Sequence, residues 1–223
     1  MPERDEADVR AAILRAAKTM HRIGLVSGTA GNVSGRLDDE RVVMTPSSIA
    51  YEPMTLDDLV VVDLDGNVVE GTRSATTEKS LHLGSFAAYP EVGGVLHCHP
   101  VHASMFALLH EPIPACVEEF VVFIGGEVPV GDYRVTGSDE LADEVTRLLA
   151  DRSAMLMANH GLVCVGKSVD DALHTAEVVE HNARIIAGAR TMGTIVPLPE
   201  KTNTDFASVY DYVRQNTWRP AEG

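Results

Sequence analysis

The sequence predicts an α/β fold, a three-layer sandwich in which helices flank a largely antiparallel central sheet. Three features carry that expectation. Amphipathic stripes of helical period stand near both ends of the chain, short β-rich runs lie between them, and Asp65-Gly66 joins two of those runs as a tight hairpin. Strands joined by so short a turn must run antiparallel, which argues against a Rossmann domain.

The first helix is expected over residues 5–24, where Val9, Ala12, Ile13, Ala16, Ala17, Met20 and Ile23 form one stripe and Gly24 stops it. Strands are expected at 33–37, 41–45 and 59–63, with Asn67-Val68-Val69 returning after the hairpin turn. A helix should start near Thr77-Glu78 and end before Pro90, followed by a strand through His97 and a helix over 102–109. The apolar run 117–124 reads as a strand. Ser138 is placed to cap a helix through Leu148-Leu149, and 154–165 reads as one strand. Ser168 then opens a long helix to about residue 189, with Val169, Ala172, Leu173, Ala176, Val179, Ala183 and Ile186 as its stripe. From Pro197 the tail carries Phe206, Tyr210, Tyr212 and Trp218 among too few aliphatic residues for a core of its own, so these aromatics must pack on something else.

Composition narrows the function. The 223 residues are 45% hydrophobic, enough for one domain with a sizeable core. A formal charge of −15 leaves no basic face for nucleic acid or an anionic membrane. No 18-residue apolar stretch occurs and the chain starts acidic, so a cytoplasmic protein is expected. Cys98, Cys116 and Cys164 are an odd count in apolar contexts, which suits reduced buried thiols.

The chemistry concentrates in a few segments. In Val95-Leu96-His97-Cys98-His99, alternation puts His97 and His99 on one strand face, where two imidazoles can share a metal. His160, beside Gly161 at the end of another apolar run, is a third candidate, and three histidines leave one position of a tetrahedral ion open. Thr29, Gly31 and Asn32 in a glycine-bearing turn, Ser47 and Ser48 after a strand, and Thr76 and Thr77 at a helix start are each ordinary turn or cap residues when taken singly. Together they are neutral donors able to surround a phosphate without lysine or arginine, as so acidic a chain would require. Glu78 is explained by its place at a helix start, or alternatively serves as a general base beside the metal.

Five segments in order, G-T-A-G-N-V-S, T-P-S-S-I-A-Y-E, T-T-E-K-S-L-H, V-L-H-C-H-P-V-H and A-N-H-G-L-V, resemble the signatures of the class II aldolase/adducin family over roughly residues 8–195. The resemblance implies one Zn2+ per chain on His97, His99 and His160, with Glu78 both a zinc ligand and the catalytic base. It implies a phosphate site at Thr29, Gly31, Asn32, Ser47, Ser48, Thr76 and Thr77. The implied reaction is zinc-dependent cleavage of a ketose 1-phosphate to dihydroxyacetone phosphate and a short aldehyde through an enediolate. The resemblance also implies a homotetramer, with the tail from 197 to 223 reaching toward a neighbouring active site. After Ile113-Pro114 the family's aldolases carry a tyrosine acid, whereas here Glu118 stands in that region, as in related dehydratases. Glu118 is thus a candidate acid, or Glu118 and Glu119 are solvated charges. A dehydratase, a 4-epimerase, a decarboxylase and a non-enzymatic adducin-like module are the competing readings.

Overall fold

A computed structural model describes residues 5–218. Residues 1–4, the first part of the acidic start, and the tail end at 219–223 lie outside the described residues. Seven helices and eight strands follow in the order α1 (Glu6–Arg22), β1 (Asn32–Arg36), β2 (Arg41–Met44), β3 (Val60–Asp63), β4 (Val68–Glu70), α2 (Lys79–Ala88), β5 (Gly94–Cys98), α3 (Val101–Leu109), α4 (Glu118–Ile124), β6 (Val130–Gly131), α5 (Asp139–Leu148), β7 (Ala154–Met157), β8 (Gly161–Gly166), α6 (Val169–Met192) and α7 (Glu200–Thr217). The strands form one sheet in the order β4-β3-β2-β1-β5-β8-β7-β6, and only the β6–β7 pair is parallel. The expected antiparallel sandwich is therefore the observed fold.

Strand alternation divides the core in two. Val43, Val61, Leu96, Cys98 and Cys164 face α1, α3, α4 and α6, while Val42, Val60, Val62, Val95, Val163 and Val165 face α2 and α5. On β1, Val33 belongs to the first layer, so Asn32 and Ser34 face the α2 side. Capping follows the sequence: Asp5 accepts from Ala7 N–H, Ser138 from Leu141 N–H and Ser168 from Asp171 N–H.

Three segments differ from expectation. The run 117–124 is a helix, because Glu118 and Glu119 occupy its first turn, burial falls on Phe120, Val121 and Ile124, and Gly125 ends it with φ +96. Its β-branched and aromatic composition reads as strand only while packing is ignored. The stretch 154–165 is two strands, broken where Asn159 takes φ 57 and His160 N–H returns to Met157 C=O. His160 thus sits on a hairpin turn instead of within a strand. The third is the cysteine expectation: Cys98 and Cys164 are buried, but Cys116 is only partly so.

The tail forms α7, which packs along α4. Tyr210, Arg214 and Trp218 fall on one face at helical spacing. The Tyr210 hydroxyl lies 2.7 Å from Ser153 Oγ, and Arg214 donates to the carbonyls of Leu149 and Arg152. Tyr210 is therefore a packing residue of its own subunit, while Tyr212 is 67% exposed. Tyr210→Ala should cost about 3–5 kcal/mol in a denaturant titration, as deletion of a buried aromatic does. Tyr212→Ala should change stability by no more than about 0.5 kcal/mol. Equal costs would show that α7 is not seated as described.

Candidate metal centre

The antiparallel β1–β5 ladder sets Asn32 opposite His97, and β5–β8 sets His97 opposite Val163. His97 points to the α2 side of the sheet with Val95 and is fully buried. The adjacent His99 lies one residue past the end of β5, held by its N–H to Leu25 C=O at 2.9 Å, and the β7–β8 turn brings in His160. Their ligand nitrogens lie within 4.8 Å of one another. The rings of His97 are 4.7 Å from those of His99 and 4.8 Å from those of His160, centroid to centroid.

Protonation is set by partners. His97 Nδ1 lies 3.0 Å from Leu162 C=O, and a carbonyl only accepts, so the ring proton is on Nδ1 and the Nε2 lone pair faces the cluster. Nε2 of His97 and of His99 approach to 2.9 Å. Burial pulls His97 down to about 3 against the opposing Glu78 charge, and burial also lowers His99. Neutral imidazoles are the form that binds metal. Gly161 permits the close packing: a Cβ there would stand 2.6 Å from the Cys98 carbonyl oxygen and from a ring carbon of His99.

Glu78 completes the group. It is the residue before α2, and its side chain makes no capping hydrogen bond, which removes helix capping as its explanation. Instead Oε1 lies 3.2 Å from His160 Nε2 and Oε2 lies 3.3 Å from His97 Nε2. Oε1 is buried with no aligned hydrogen bond of its own. Burial pushes the carboxyl up, and His160, His97 and the Asn32 amide together outweigh it, holding Glu78 below the ordinary carboxylate range. A buried anion with one oxygen unsatisfied, beside three clustered imidazoles, is a donor set suited to a divalent cation of the zinc type.

The hydroxyl-bearing loops gather at the same end of the sheet. Ser47 N–H bonds to Ser74 C=O at 3.0 Å and Pro46 bridges to Ala75, so Ser47 and Ser48 lie against the segment leading to Thr76 and Thr77. Thr76 is buried and Thr77 exposed. Ser48 takes φ 60, a conformation that non-glycine residues seldom adopt outside functional or strained sites. The Thr29–Asn32 turn is anchored by the Tyr51 hydroxyl, which reaches the carbonyls of Ala30 at 2.9 Å and Gly31 at 2.7 Å. Gly31 is obligatory there, because with φ +81 its Cβ would stand 2.7 Å from the His97 carbonyl oxygen. Glu118 lies exposed in the first turn of α4, and among the described residues no hydrogen bond or ion pair joins it to the histidines.

Four supporting residues escaped the sequence reading. Tyr51 was only a letter of a motif. Glu180 of α6 accepts the N–H groups of His102 and Ala103 at the start of α3, fixing the chain just after His99. His82 and Ser34 lie buried beside Asn32. Their signal was spacing: His82 is one helical turn after Glu78, and Ser34 is two residues after Asn32 on a strand.

Residues 11–187 match the family described as Class II Aldolase and Adducin N-terminal domain. The chain belongs to that class II aldolase/adducin family. It is 31% identical over 203 residues to a 5-deoxy-D-ribulose 1-phosphate aldolase of Bacillus thuringiensis, covering 91% of this chain and 95% of that one. It is 36% identical over 191 residues to an L-ribulose-5-phosphate 4-epimerase of Salmonella paratyphi B, covering 80% and 83%. The structure superimposes on an L-fuculose 1-phosphate aldolase with a TM-score of 0.86 at 31% identity, covering 92% of this chain and 97% of that one. Among the described residues no helix is long and apolar enough to cross a membrane.

The buried histidines make stability depend on pH. His82 has an ordinary value of 6.5, and burial lowers it to about 4 in the fold against the opposing charge of Glu78. Below pH 6.5 the unfolded chain takes up a proton that the folded protein refuses, so the contribution is full above that value and is lost as pH falls toward 4. The denaturation midpoint should therefore fall across this window. His82→Gln, which carries no titrating group, should flatten the fall. An unchanged slope in that variant would contradict the assignment of a neutral buried ring.

Proposed function

We propose that the protein is a zinc-dependent class II aldolase that cleaves a ketose 1-phosphate, similar to L-fuculose 1-phosphate, into dihydroxyacetone phosphate and a short aldehyde. The observation that carries this reading is the uncapped, buried Glu78 carboxylate lying 3.2 and 3.3 Å from two of three clustered histidines. His97, His99 and His160 would hold the ion, with Glu78 as a further ligand. Bound there, zinc supplies a Lewis acid for the carbonyl oxygen, stabilising the negative charge that develops when the neighbouring carbon–carbon bond breaks.

The chain's own residues do the rest. Gly31, through its backbone, and Thr29, Asn32, Ser47, Ser48, Thr76 and Thr77 hold the phosphate with neutral donors, which suits a chain of formal charge −15. That anchor fixes the carbon chain so that one carbon meets Glu78 in a single pose. Glu78 takes a proton from the dihydroxyacetone phosphate carbon in the condensation direction and returns it in cleavage, with Oε1 the free oxygen. Glu118 is the proposed acid for the aldehyde oxygen.

A homotetramer in the cytoplasm accompanies this reading. Val101, Met105, Leu108 and Leu109 leave an exposed apolar face on α3, as an interface between copies would need. The tail's exposed Tyr212 is the residue proposed to approach a neighbouring subunit's site. A second reading, a sugar-phosphate 4-epimerase, is supported by the 36% identity to an L-ribulose-5-phosphate 4-epimerase. An adducin-like binding module would not need three histidines and Glu78 in one cluster.

Incubation of the zinc-loaded protein with a panel of ketose 1-phosphates and 5-phosphates separates these readings. Release of dihydroxyacetone phosphate is the expected result, and an epimerised pentose phosphate without release would establish the second. Glu78→Gln should keep the fold while slowing proton exchange on dihydroxyacetone phosphate by about 10²–10⁴-fold. A rate within a few-fold of wild type would remove Glu78 from the chemistry.

A further inference from the structure

Behind Glu78 lies a line of buried polar groups, of which only Asn32 has a role above, as a phosphate donor. Asn32 Nδ2 donates to Glu78 Oε2 at 2.9 Å, Asn32 Oδ1 lies 2.5 Å from His82 Nε2, and His82 Nδ1 lies 2.6 Å from Ser34 Oγ. All four side chains are buried, His82 and Ser34 completely. The arrangement follows from two periodicities. Asn32 and Ser34 alternate on β1 and share its α2 face, while His82 follows Glu78 by one turn of α2, so one imidazole bridges both strand residues and returns to the carboxylate.

The direction of each hydrogen bond is forced from one end. An ionised carboxylate only accepts, so Asn32 must turn its amide nitrogen toward Glu78 and its oxygen toward His82. That oxygen also only accepts, so His82 must carry its proton on Nε2. Its Nδ1 is then a bare acceptor, and the Ser34 hydroxyl donates to it. Burial keeps the ring neutral, as this pattern requires.

We propose that His82 is a positioning residue for Glu78: by fixing the Asn32 amide it pins Oε2 of the carboxylate and leaves Oε1, beside His160, as the oxygen that meets metal and substrate. Without the imidazole, Asn32 Oδ1 loses its donor and the amide is held at the Glu78 end alone. The carboxylate can then rotate away from the histidines. The role assigned to Glu78 rests on the proposed function, but the hydrogen-bond direction does not.

The test combines a spectroscopic reading of the metal-free protein with kinetics of the zinc-loaded one. Long-range ¹H–¹⁵N correlation of metal-free wild type should show His82 as the Nε2-protonated neutral tautomer and an Asn32 amide protected from solvent exchange. His82→Leu should lose the Asn32 protection, whereas His82→Gln, which keeps an N–H near Nε2, should retain it. With dihydroxyacetone phosphate as the probe, His82→Leu should lower kcat for proton exchange by about 10–100-fold, as loss of an outer partner of a metal-site ligand does. KM and zinc content should stay within about threefold, and His82→Gln should recover most of the rate, the split expected when positioning rather than binding is lost. An Nδ1-protonated or charged His82 in wild type would overturn the proposal, as would a folded His82→Leu protein that exchanges protons at the wild-type rate. Should His82→Leu fail to fold, the wild-type tautomer and the His82→Gln protection and rate decide it. If Glu78→Gln itself exchanges normally, the functional reading fails while the tautomer and amide-protection results still decide the positioning of the carboxylate.

Discussion

The pairing of β1 with β5 is the constraint on which the rest of this structure depends. Its register sets Asn32 opposite His97 and Ser34 opposite Val95, with the polar side chains turned toward α2. A slip of one residue would send Asn32 and Ser34 into the apolar layer against α1 and α6, and Val33 into the polar cluster. The register resists slipping because Val33 and Leu96 are buried in one layer and Val95 in the other. Hydrophobic pairing thus places groups that could not assemble by their own attraction.

The electrostatic cost at the cluster is high. A buried carboxylate and three imidazoles lose hydration, and each must recover it from a partner. Leu162 serves His97, Asn32 serves one oxygen of Glu78, and the other oxygen has only His160 nearby. The imidazole nitrogens and the Glu78 carboxylate converge on one region, where a divalent cation would satisfy them together. The same economy suits the proposed phosphate cradle, in which hydroxyls and backbone amides would stand in place of lysine and arginine near an anionic carboxylate.

Much of this was legible in the sequence because it rests on local spacing. The H-x-H alternation placed His97, and the caps at Ser138 and Ser168 fixed two helix starts. His160 was identifiable as a residue, but its turn was not, since a single αL residue at Asn159 breaks an apolar run that reads as continuous strand. The helix α4 was missed because Val, Phe and Ile satisfy strand propensity, and only the burial of Phe120, Val121 and Ile124 against a neighbouring layer decides for helix. Tyr210 and Tyr212 looked alike in the chain, yet two positions on a helix turn one inward and the other out. His82 was hidden for a different reason: its partners lie 50 and 48 residues earlier, and only the sheet register brings them together.

The most direct measurement is anomalous diffraction at the zinc edge from crystals of the protein grown with stoichiometric zinc. A single peak per chain at about 2.0–2.1 Å from nitrogens of His97, His99 and His160 is the predicted result. A zinc ion bound elsewhere, with these three rings left in hydrogen-bonded contact, would contradict the metal-centred account of the site.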